Sequence, residues 1–154
     1  TTIWERWDGW TAERGFQDPG MNSFNHYALG AIGAWLYRTV AGIDTDPERP
    51  GYRHIVFHPR PGGGLTHARA ELRSPYGPIT SHWTIAGDTF TLRVAVPPNT
   101  TATLRLPAVS ADDVAEGDRP ARHAPGVRLV GQDGGEAAFA LDSGDYTFVT
   151  RRIT

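Results

Sequence analysis

The first ten residues of the chain place one carboxylate among three indole rings, at Trp4, Glu5, Trp7 and Trp10. Indole faces stack on the apolar C–H faces of sugar rings, and charged groups bind the sugar hydroxyls. The segment therefore predicts one wall of a carbohydrate pocket. Two questions stay open from the residues alone. The tryptophans could instead pack in a core, as large aromatic side chains commonly do, and Glu5 could be either desolvated or held in an ion pair by Arg6 or Arg14.

A second group of chemically capable residues follows at Asn25-His26-Tyr27, where an imidazole lies between an amide and a phenol. Apolar residues recur at helical spacing over residues 24–41, so we predict one helix there. Asn22 or Ser23 is suited to cap its start, and Gly42 is suited to end it in the left-handed conformation. His26 then lies in the first helical turn, either facing the pocket or as a hydrogen-bonded core histidine.

Strand-type patterning replaces helical patterning after a polar, proline-broken connector at residues 44–51, which cannot continue a helix. Short runs of partly alternating apolar and polar residues follow, separated by turn residues. We predict strands at residues 52–58, 66–73, 77–85, 89–96, 101–106, 127–130, 136–141 and 145–150. Strands without intervening helices predict a mainly β fold, an antiparallel β-sandwich preceded by one or two α-helices.

Within the predicted sandwich, one strand shows a clear core face, made of Phe90, Leu92, Val94 and Val96. Alternate residues of a strand point to opposite faces, so the residues between them are solvated. Trp83 and Tyr76 are predicted to pack against neighbouring residues or the helical segment, with a sugar-stacking platform on the sheet as the alternative. Residues 108–126 lack periodicity and are predicted to be a loop.

Composition excludes several classes of function. The 154 residues carry a formal net charge of −2 and scattered basic residues, which gives no electrostatic footprint for nucleic acid. The absence of cysteine excludes disulfides and thiolate metal sites. His54 and His58 lack a third ligand nearby in the sequence, and the longest apolar stretch, residues 28–40, is too short to span a bilayer. No cofactor, metal or membrane contact is predicted, and the compartment stays open.

Taken together, the motifs of the chain resemble those of the bacterial α-L-rhamnosidases, glycoside hydrolase family 78. The resemblance covers residues 1–107 and rests on the order and spacing of Trp4-Glu5-Arg6-Trp7, Met21-Asn22-Ser23-Phe24-Asn25-His26-Tyr27, Trp35-Leu36-Tyr37-Arg38, Pro50-Gly51-Tyr52, Pro59-Arg60-Pro61, Ser74-Pro75-Tyr76-Gly77 and Pro97-Pro98-Asn99. It implies that residues 1–45 are the C-terminal helical end of an (α/α)6 catalytic barrel and residues 46–154 a C-terminal β-sandwich domain. Since the chain starts within a motif, we expect it to be part of a longer protein.

The resemblance also implies roles for individual residues. In this family the glutamate of the Trp-Glu-Arg-Trp motif is the general base of an inverting hydrolysis, and it falls on Glu5. The histidine of the Asn-His-Tyr motif lies near the sugar, and it falls on His26. Trp4, Trp7 and Trp10 would shape the pocket. The general acid belongs to an acidic motif earlier in the barrel, and no part of this chain matches that motif.

We therefore expect the C-terminal part of an inverting α-L-rhamnosidase that releases terminal non-reducing α-L-rhamnose from glycosides. Its partner would be a rhamnose-containing glycoside, and neither nucleic acid nor a membrane. On its own the chain is expected to be inactive, because the general acid and most of the barrel are missing. Two other classes remain open: a non-catalytic carbohydrate-binding or structural β-sandwich module, and an interaction module that self-associates through the apolar face of its exposed helix.

Overall fold

The computed structural model describes residues 2–151, with the backbone alone at residue 29. The chain divides into two compact units, Thr1–Leu36 and Tyr37–Thr154. The predicted domain division between residues 45 and 46 stays a prediction. Across the described part of the chain, no helix has the length and hydropathy needed to cross a bilayer.

The first unit contains a short hairpin, a 3-10 turn and a helix. Strand β1 (Trp10–Thr11) pairs antiparallel with β2 (Gly15–Phe16). The 3-10 turn Pro19–Met21 is capped by the carboxylate of Asp18, which satisfies an otherwise unpaired backbone donor. Helix α1 (Ala28–Trp35) follows. Regular structure is sparse in this unit, so backbone pairing between its loops positions the chemical groups.

Helix α1 starts later than the predicted residue 24. The Ser23 carbonyl accepts from Glu5 N at 2.8 Å, and His26 N donates to the Ile3 carbonyl at 2.8 Å. This pairing takes residues 23–26 out of the helical hydrogen-bond pattern. The prediction that Asn22 or Ser23 caps the helix is wrong, because Tyr27 precedes α1 and makes no side-chain capping bond. The prediction that His26 lies in the first helical turn is wrong for the same reason.

At its C-terminal end the helical segment stops where the sequence predicts, although it changes form. After α1 the backbone continues as the π-helical segment Leu36–Ala41 and then reaches Gly42, whose φ is +76°. Glycine takes this left-handed conformation at little cost. The Val40 carbonyl accepts from Trp83 Nε1 at 2.7 Å, and the Ala41 carbonyl accepts from Ser81 Oγ at 2.6 Å. These two side chains satisfy carbonyls that a helix end leaves unpaired.

The second unit is a sandwich of two sheets around one core. Within the described residues its strands are β3 (Ile43–Thr45), β4 (His54–Phe57), β5 (His67–Ser74), β6 (Gly77–Ala86), β7 (Thr89–Val96), β8 (Thr101–Pro107), β9 (Ala115–Glu116), β10 (Arg119–Pro120), β11 (Val127–Asp133), β12 (Glu136–Leu141) and β13 (Gly144–Arg151). One sheet has the order β10-β9-β13-β7-β6-β5 and the other the order β11-β12-β8-β4-β3. Described neighbours pair antiparallel except β4 and β8, which are parallel.

This architecture confirms the predicted mainly β fold with an antiparallel-rich sandwich. Each predicted strand is present, and β7 and β12 match their predicted bounds. Strand β3 was not predicted, because its three residues lie where the sequence indicates a connector. It pairs with β4 at the edge of its sheet. A strand this short carries too little alternation to be recognised without its partner.

The core lies between the two sheets. Phe90, Leu92, Val94 and Val96 of β7 are buried as predicted. The rings of Phe139 and Phe148, which come from opposite sheets, stack with centroids 6.1 Å apart. Trp83 is completely buried, so the alternative of a stacking platform formed with Tyr76 is wrong, and the packing interpretation of Trp83 holds.

Residues 108–126 are more ordered than the predicted loop. They contain two 3-10 turns, Ala111–Asp113 and Ala121–His123, and the paired strands β9 and β10. Ala111, Val114, Ala121 and Ala124 are buried in the sandwich core. The Gln132 side chain holds the segment by accepting from Ala111 N at 2.9 Å and donating to the Val109 carbonyl at 2.8 Å. The sequence did not predict this packing, because the buried residues are mainly alanines and show no regular apolar spacing.

Candidate active-site wall

The two motifs that the sequence marks as chemically capable are brought together in the first unit. Glu5 N donates to the Ser23 carbonyl and His26 N donates to the Ile3 carbonyl, both at 2.8 Å. These bonds pair the Trp-Glu-Arg-Trp segment with the segment that leads to His26. These backbone hydrogen bonds therefore hold Glu5 and His26 on two neighbouring loop segments, although about twenty positions separate them in sequence.

The Glu5 carboxylate is anchored by the same partner. Glu5 Oε2 accepts from Ser23 N at 3.0 Å, and the Glu5 side chain is half-buried. Ser23 thus binds Glu5 through both its backbone carbonyl and its backbone amide. Among residues 2–151 no hydrogen bond engages the second oxygen, Oε1. One oxygen is held in place while the other stays available to a water molecule or a sugar hydroxyl.

Two arginines near Glu5 are paired elsewhere. Arg6 binds the Asp8 carboxylate through two bonds, with Nε 3.1 Å from Oδ1 and NH2 3.2 Å from Oδ2. Arg14 NH2 lies 3.9 Å from Asp8 Oδ2. The alternative in which Arg6 or Arg14 forms an ion pair with Glu5 is not what the structure shows. Asp8 is the shared acceptor, and exposed pairs of this kind contribute little stability, about 0–1 kcal/mol.

Trp4, Trp7 and Trp10 are not core residues of this chain. Trp4 is 40% exposed, Trp10 is 45% exposed and Trp7 is fully exposed at 102%. Trp4 is held by an edge-to-face contact with Phe24, at 4.8 Å between centroids and 85° between planes. Phe24 makes a second edge-to-face contact with Phe16 at 5.6 Å. This aromatic packing fixes the position of the Trp4 ring and leaves part of its indole surface exposed for contact with a ligand.

A cavity of about 420 Å³ opens beside these indoles. Its lining residues are Thr2, Ile3, Trp4, Arg6 and Trp7. The volume falls in the range of small-molecule sites, about 300–1,000 Å³. Apolar ring faces and one guanidinium are the mixture that a sugar requires. Glu5, His26 and Trp10 are not among its lining residues, so the structure brings only Trp4 and Trp7 of the predicted set to this cavity.

His26 is half-buried and stacks on Tyr27, with ring centroids 5.3 Å apart and 27° between planes. Its backbone is fixed by the bond to Ile3. The neighbouring ring limits the orientations that the imidazole can take. His26 is thus a positioned hydrogen-bonding group on the same paired segments as Glu5.

Sequence reasoning missed Ser23 as the anchor of Glu5 and Phe24 as the support of Trp4. Both were interpreted as the start of a helix. Gly9 was also missed. It is buried, and an added Cβ would lie 2.5 Å from Asn22 Oδ1 and 3.3 Å from Phe24 Cε1. No local signal indicates these contacts, since each joins residues far apart in the sequence.

The structure gives no grounds for a metal centre in the described chain. Within residues 2–151, no three His, Asp or Glu side chains converge on one point. His54 lies between two hydroxyls, with Nδ1 2.7 Å from Thr101 Oγ1 and Nε2 2.9 Å from Thr103 Oγ1. His58 Nε2 lies 2.7 Å from Glu136 Oε1. The two histidines therefore have separate structural partners.

Comparison with known proteins relates both units to one family. Residues 42–120 match the bacterial alpha-L-rhamnosidase C-terminal domain, and residues 1–40 match the bacterial alpha-L-rhamnosidase 6 hairpin glycosidase domain. An alpha-L-rhamnosidase of Streptomyces avermitilis is 45% identical over 148 residues, which is 96% of this chain and 13% of the relative. One from Formosa agariphila is 38% identical over 148 residues, which is 96% of this chain and 16% of the relative.

Two solved structures are similar to the chain. The crystal structure of the S. avermitilis alpha-L-rhamnosidase complexed with L-rhamnose aligns with a TM-score of 0.77 and 43% identity, over 97% of this chain and 14% of that one. The alpha-L-rhamnosidase from Dictyoglumus thermophilum aligns with a TM-score of 0.76 and 31% identity, over 98% of this chain and 16% of that one. The chain spans at most 16% of the length of any of these relatives.

Proposed function

Because the chain belongs to the bacterial α-L-rhamnosidase family, whose C-terminal domain it matches over residues 42–120, we propose that it is the C-terminal part of a glycoside hydrolase. The enzyme would release terminal non-reducing α-L-rhamnose from glycosides. The observation that carries this proposal is the anchoring of Glu5 by Ser23, at 3.0 Å, beside exposed indoles. The L-rhamnose in the related S. avermitilis structure supports the substrate class.

Glu5 acts as the general base of an inverting hydrolysis. Its free oxygen, Oε1, takes a proton from a water molecule, and the water oxygen attacks the anomeric carbon. A general acid outside this chain protonates the departing oxygen as the glycosidic bond breaks. Water must fit between the two carboxyl groups, which in inverting enzymes are about 6.5–9.5 Å apart. The Ser23 amide holds Oε2, so the base keeps a fixed orientation during the reaction.

The aromatic residues and His26 bind the sugar. Trp4 and Trp7 line the 420 Å³ cavity and offer ring faces to the C–H groups and the methyl group of rhamnose. Trp10 extends this aromatic surface, and the His26 imidazole supplies a hydrogen bond to a hydroxyl. These are binding roles, so truncating one of the indoles raises KM more than it lowers kcat.

The chain alone is inactive, and it associates with itself. Inactivity follows from the missing general acid and the missing remainder of the barrel. Association is supported by the large apolar side chains that the first unit leaves exposed, among them Phe16, Tyr27, Ile32 and Trp35. Large apolar side chains left exposed on a protein commonly mark an interaction site. In the longer protein the rest of the barrel would cover it.

The direct test uses the whole protein and an aryl α-L-rhamnoside. Rhamnose and the aryl alcohol should be released together, and proton NMR of the first turnovers should detect the β-anomer before mutarotation. Absence of release from the intact, folded protein would exclude the proposed activity. Initial formation of the α-anomer would keep the activity and exclude Glu5 as the base of an inverting reaction.

A further inference from the structure

Arg6 lines the 420 Å³ cavity of the first unit, and its backbone belongs to a tight turn. Gly9 N donates to the Arg6 carbonyl at 3.2 Å, which closes the turn over residues 6–9. Gly9 is buried, and its carbonyl accepts from Gln17 N at 3.0 Å. The turn is therefore held against the rest of the first unit, and the backbone of Arg6 has a fixed position beside the cavity.

Asp8, in the same turn, fixes the direction of the Arg6 side chain. Asp8 Oδ1 accepts from Arg6 Nε at 3.1 Å, and Asp8 Oδ2 accepts from Arg6 Nη2 at 3.2 Å. Two parallel bonds define the plane of a guanidinium, whereas one bond would let it turn. Both side chains are partly exposed, so the pair adds little to stability. Its main consequence is the orientation of the guanidinium.

Arg6 has hydrogen-bond donors left over for a ligand. A guanidinium carries five N–H groups, and Asp8 accepts from one on Nε and one on Nη2. Within residues 2–151, the Arg6 side chain makes no other hydrogen bond. Both donors of Nη1 and one of Nη2 remain, and one from each nitrogen forms a parallel pair at the end of the guanidinium. This end bears the donors that a ligand in the cavity can use.

The chemistry around these donors suits an uncharged ligand with oxygen acceptors. The formal charges of Arg6 and Asp8 cancel, so the donors call for hydroxyl oxygens and not for an anion. Trp4 and Trp7 line the same cavity, and indole faces suit the C–H groups of a sugar ring. A sugar therefore matches both parts of the cavity lining, the donors and the rings.

We propose that Arg6, positioned by Asp8, binds sugar hydroxyls of the glycoside substrate. The inference rests on the proposed function, which supplies the glycoside. Glu5 would act at the anomeric carbon, and it is not among the residues that line the cavity. The hydroxyls bound by Arg6 thus belong to a part of the substrate away from the cleaved bond. Arg6 contributes to substrate affinity, and Asp8 is a positioning residue that acts through Arg6.

The test measures kcat and KM of the whole protein on two neutral substrates, an aryl α-L-rhamnoside and an aryl disaccharide in which α-L-rhamnose is linked to glucose. Arg6→Gln should raise KM at least about tenfold on one or both of them, because charge-assisted hydrogen bonds to the substrate are lost. Its kcat should change less than about twofold. A higher KM on both substrates assigns the contact to rhamnose, and a higher KM on the disaccharide alone assigns it to glucose.

Asp8→Asn tests the positioning role. Asparagine has a single side-chain oxygen and cannot accept both bonds, so the guanidinium loses its fixed plane. KM should rise at least about threefold with kcat retained, since part of the Arg6 contact is lost. The double variant Arg6→Gln/Asp8→Asn should have the KM of Arg6→Gln alone, because Asp8 acts only through Arg6. A KM clearly above that value would contradict this role.

Arg14→Gln is the matched control. Arg14 Nη2 also lies near Asp8, 3.9 Å from Oδ2, but Arg14 is not among the residues that line the cavity. Removing its charge should leave KM unchanged. Wild-type KM values for Arg6→Gln on both substrates, or an equal rise in Arg14→Gln, would overturn the proposal. If Arg6→Gln does not fold, Arg6→Lys serves, since lysine keeps the charge but lacks the parallel donors and should also raise KM.

Failure of the proposed function has a different result. A folded wild-type protein that releases no rhamnose from either substrate would contradict that function. The affinities of the same variants for the two glycosides, followed by tryptophan fluorescence, would then test Arg6 without turnover. Weaker binding in Arg6→Gln and Asp8→Asn, with unchanged binding in Arg14→Gln, would support the contact. Equal affinities in all of them would overturn it.

Discussion

Glu5 depends on a residue eighteen positions away for its orientation. Ser23 accepts from Glu5 N and donates to Glu5 Oε2, so a single residue fixes both the backbone and the carboxylate. The sequence pointed to Glu5 and His26 through their motifs. It could not point to Ser23, because serine before an apolar run is also a normal helix cap. Only the pairing of two distant loops distinguishes an anchor from a cap.

His54 predicts a pH dependence of stability. Burial lowers the pKa of its imidazole, and the charge of Arg49 lowers it further, whereas Asp46 opposes the shift. In the folded protein His54 therefore stays neutral at pH values where the unfolded chain, with an ordinary pKa of about 6.5, is protonated. The unfolded state then binds more protons, so stability is retained above this pH and is lost as the pH falls from about 6.5 toward the lower folded pKa.

The measurement is the melting temperature of the whole protein's sandwich across this pH range, for the wild type and for His54→Gln. The wild-type melting temperature should fall more steeply with decreasing pH than that of the variant, since glutamine does not titrate. Parallel curves would show that His54 does not contribute. Carboxylates that protonate in the same range act equally on both proteins and cancel in the difference.

At the scale of secondary structure, alternation and turn residues were sufficient to locate the sandwich strands. Strand β7 shows why: its core residues alternate without a break, and turns bound it on both sides. The late start of α1 and the buried turns of residues 108–126 could not be predicted in this way. The first depends on long-range pairing with Glu5 and Ile3. The second depends on alanines, whose small side chains give no periodic signal.

Gly42 connects the π-helical segment to β3, and we predict that adding a single methyl group there lowers the stability of the protein strongly. Gly42 has φ +76°, and a Cβ there would clash with the backbone of His58 and Pro59. The Gly42 carbonyl also accepts from His58 N at 2.9 Å, which prevents the backbone from moving away. Gly42→Ala should lower the free energy of unfolding by about 3 kcal/mol, from strain and overpacking together.

Gly87→Ala is the control for Gly42→Ala in denaturant unfolding. Gly87 also has a positive φ, +57°, but an added Cβ there would meet no atom within 4 Å. It should cost only the conformational strain, about 1 kcal/mol. Equal losses in the two variants would mean that the close approach of Pro59 contributes nothing.

At the scale of the whole molecule, the two units differ in how completely they bury their apolar side chains. The sandwich encloses its large residues, including Trp83, Phe57 and Phe148. The first unit leaves Trp7 and Phe16 largely exposed. The chain spans at most 16% of the length of the relatives in the comparisons above. The amount of exposed aromatic surface could not be read from the sequence, since burial depends on what else is present.

The isolated chain should therefore self-associate, and it should release no rhamnose from an aryl α-L-rhamnoside. Light scattering after size-exclusion chromatography should give a mass above that of the 16.8 kDa monomer. Trp35→Ser should shift the distribution toward the monomer, because it removes an exposed apolar side chain of α1. Tyr76→Ser, at a partly exposed position of the sandwich, should not. A monomeric wild-type chain would contradict the association, and measurable rhamnose release would contradict the requirement for the missing acid.

The most direct test of the account is the turnover of the whole protein with Glu5→Gln on an aryl α-L-rhamnoside. Glutamine keeps the size of the side chain and can still accept from Ser23 N, but it cannot take a proton from water. We expect kcat to fall by about 10²–10⁴-fold, with an unchanged melting temperature. Glu13→Gln, at an exposed position of the same unit, should retain the wild-type rate. Turnover of Glu5→Gln close to that of the wild type would contradict the assignment of Glu5 as the general base.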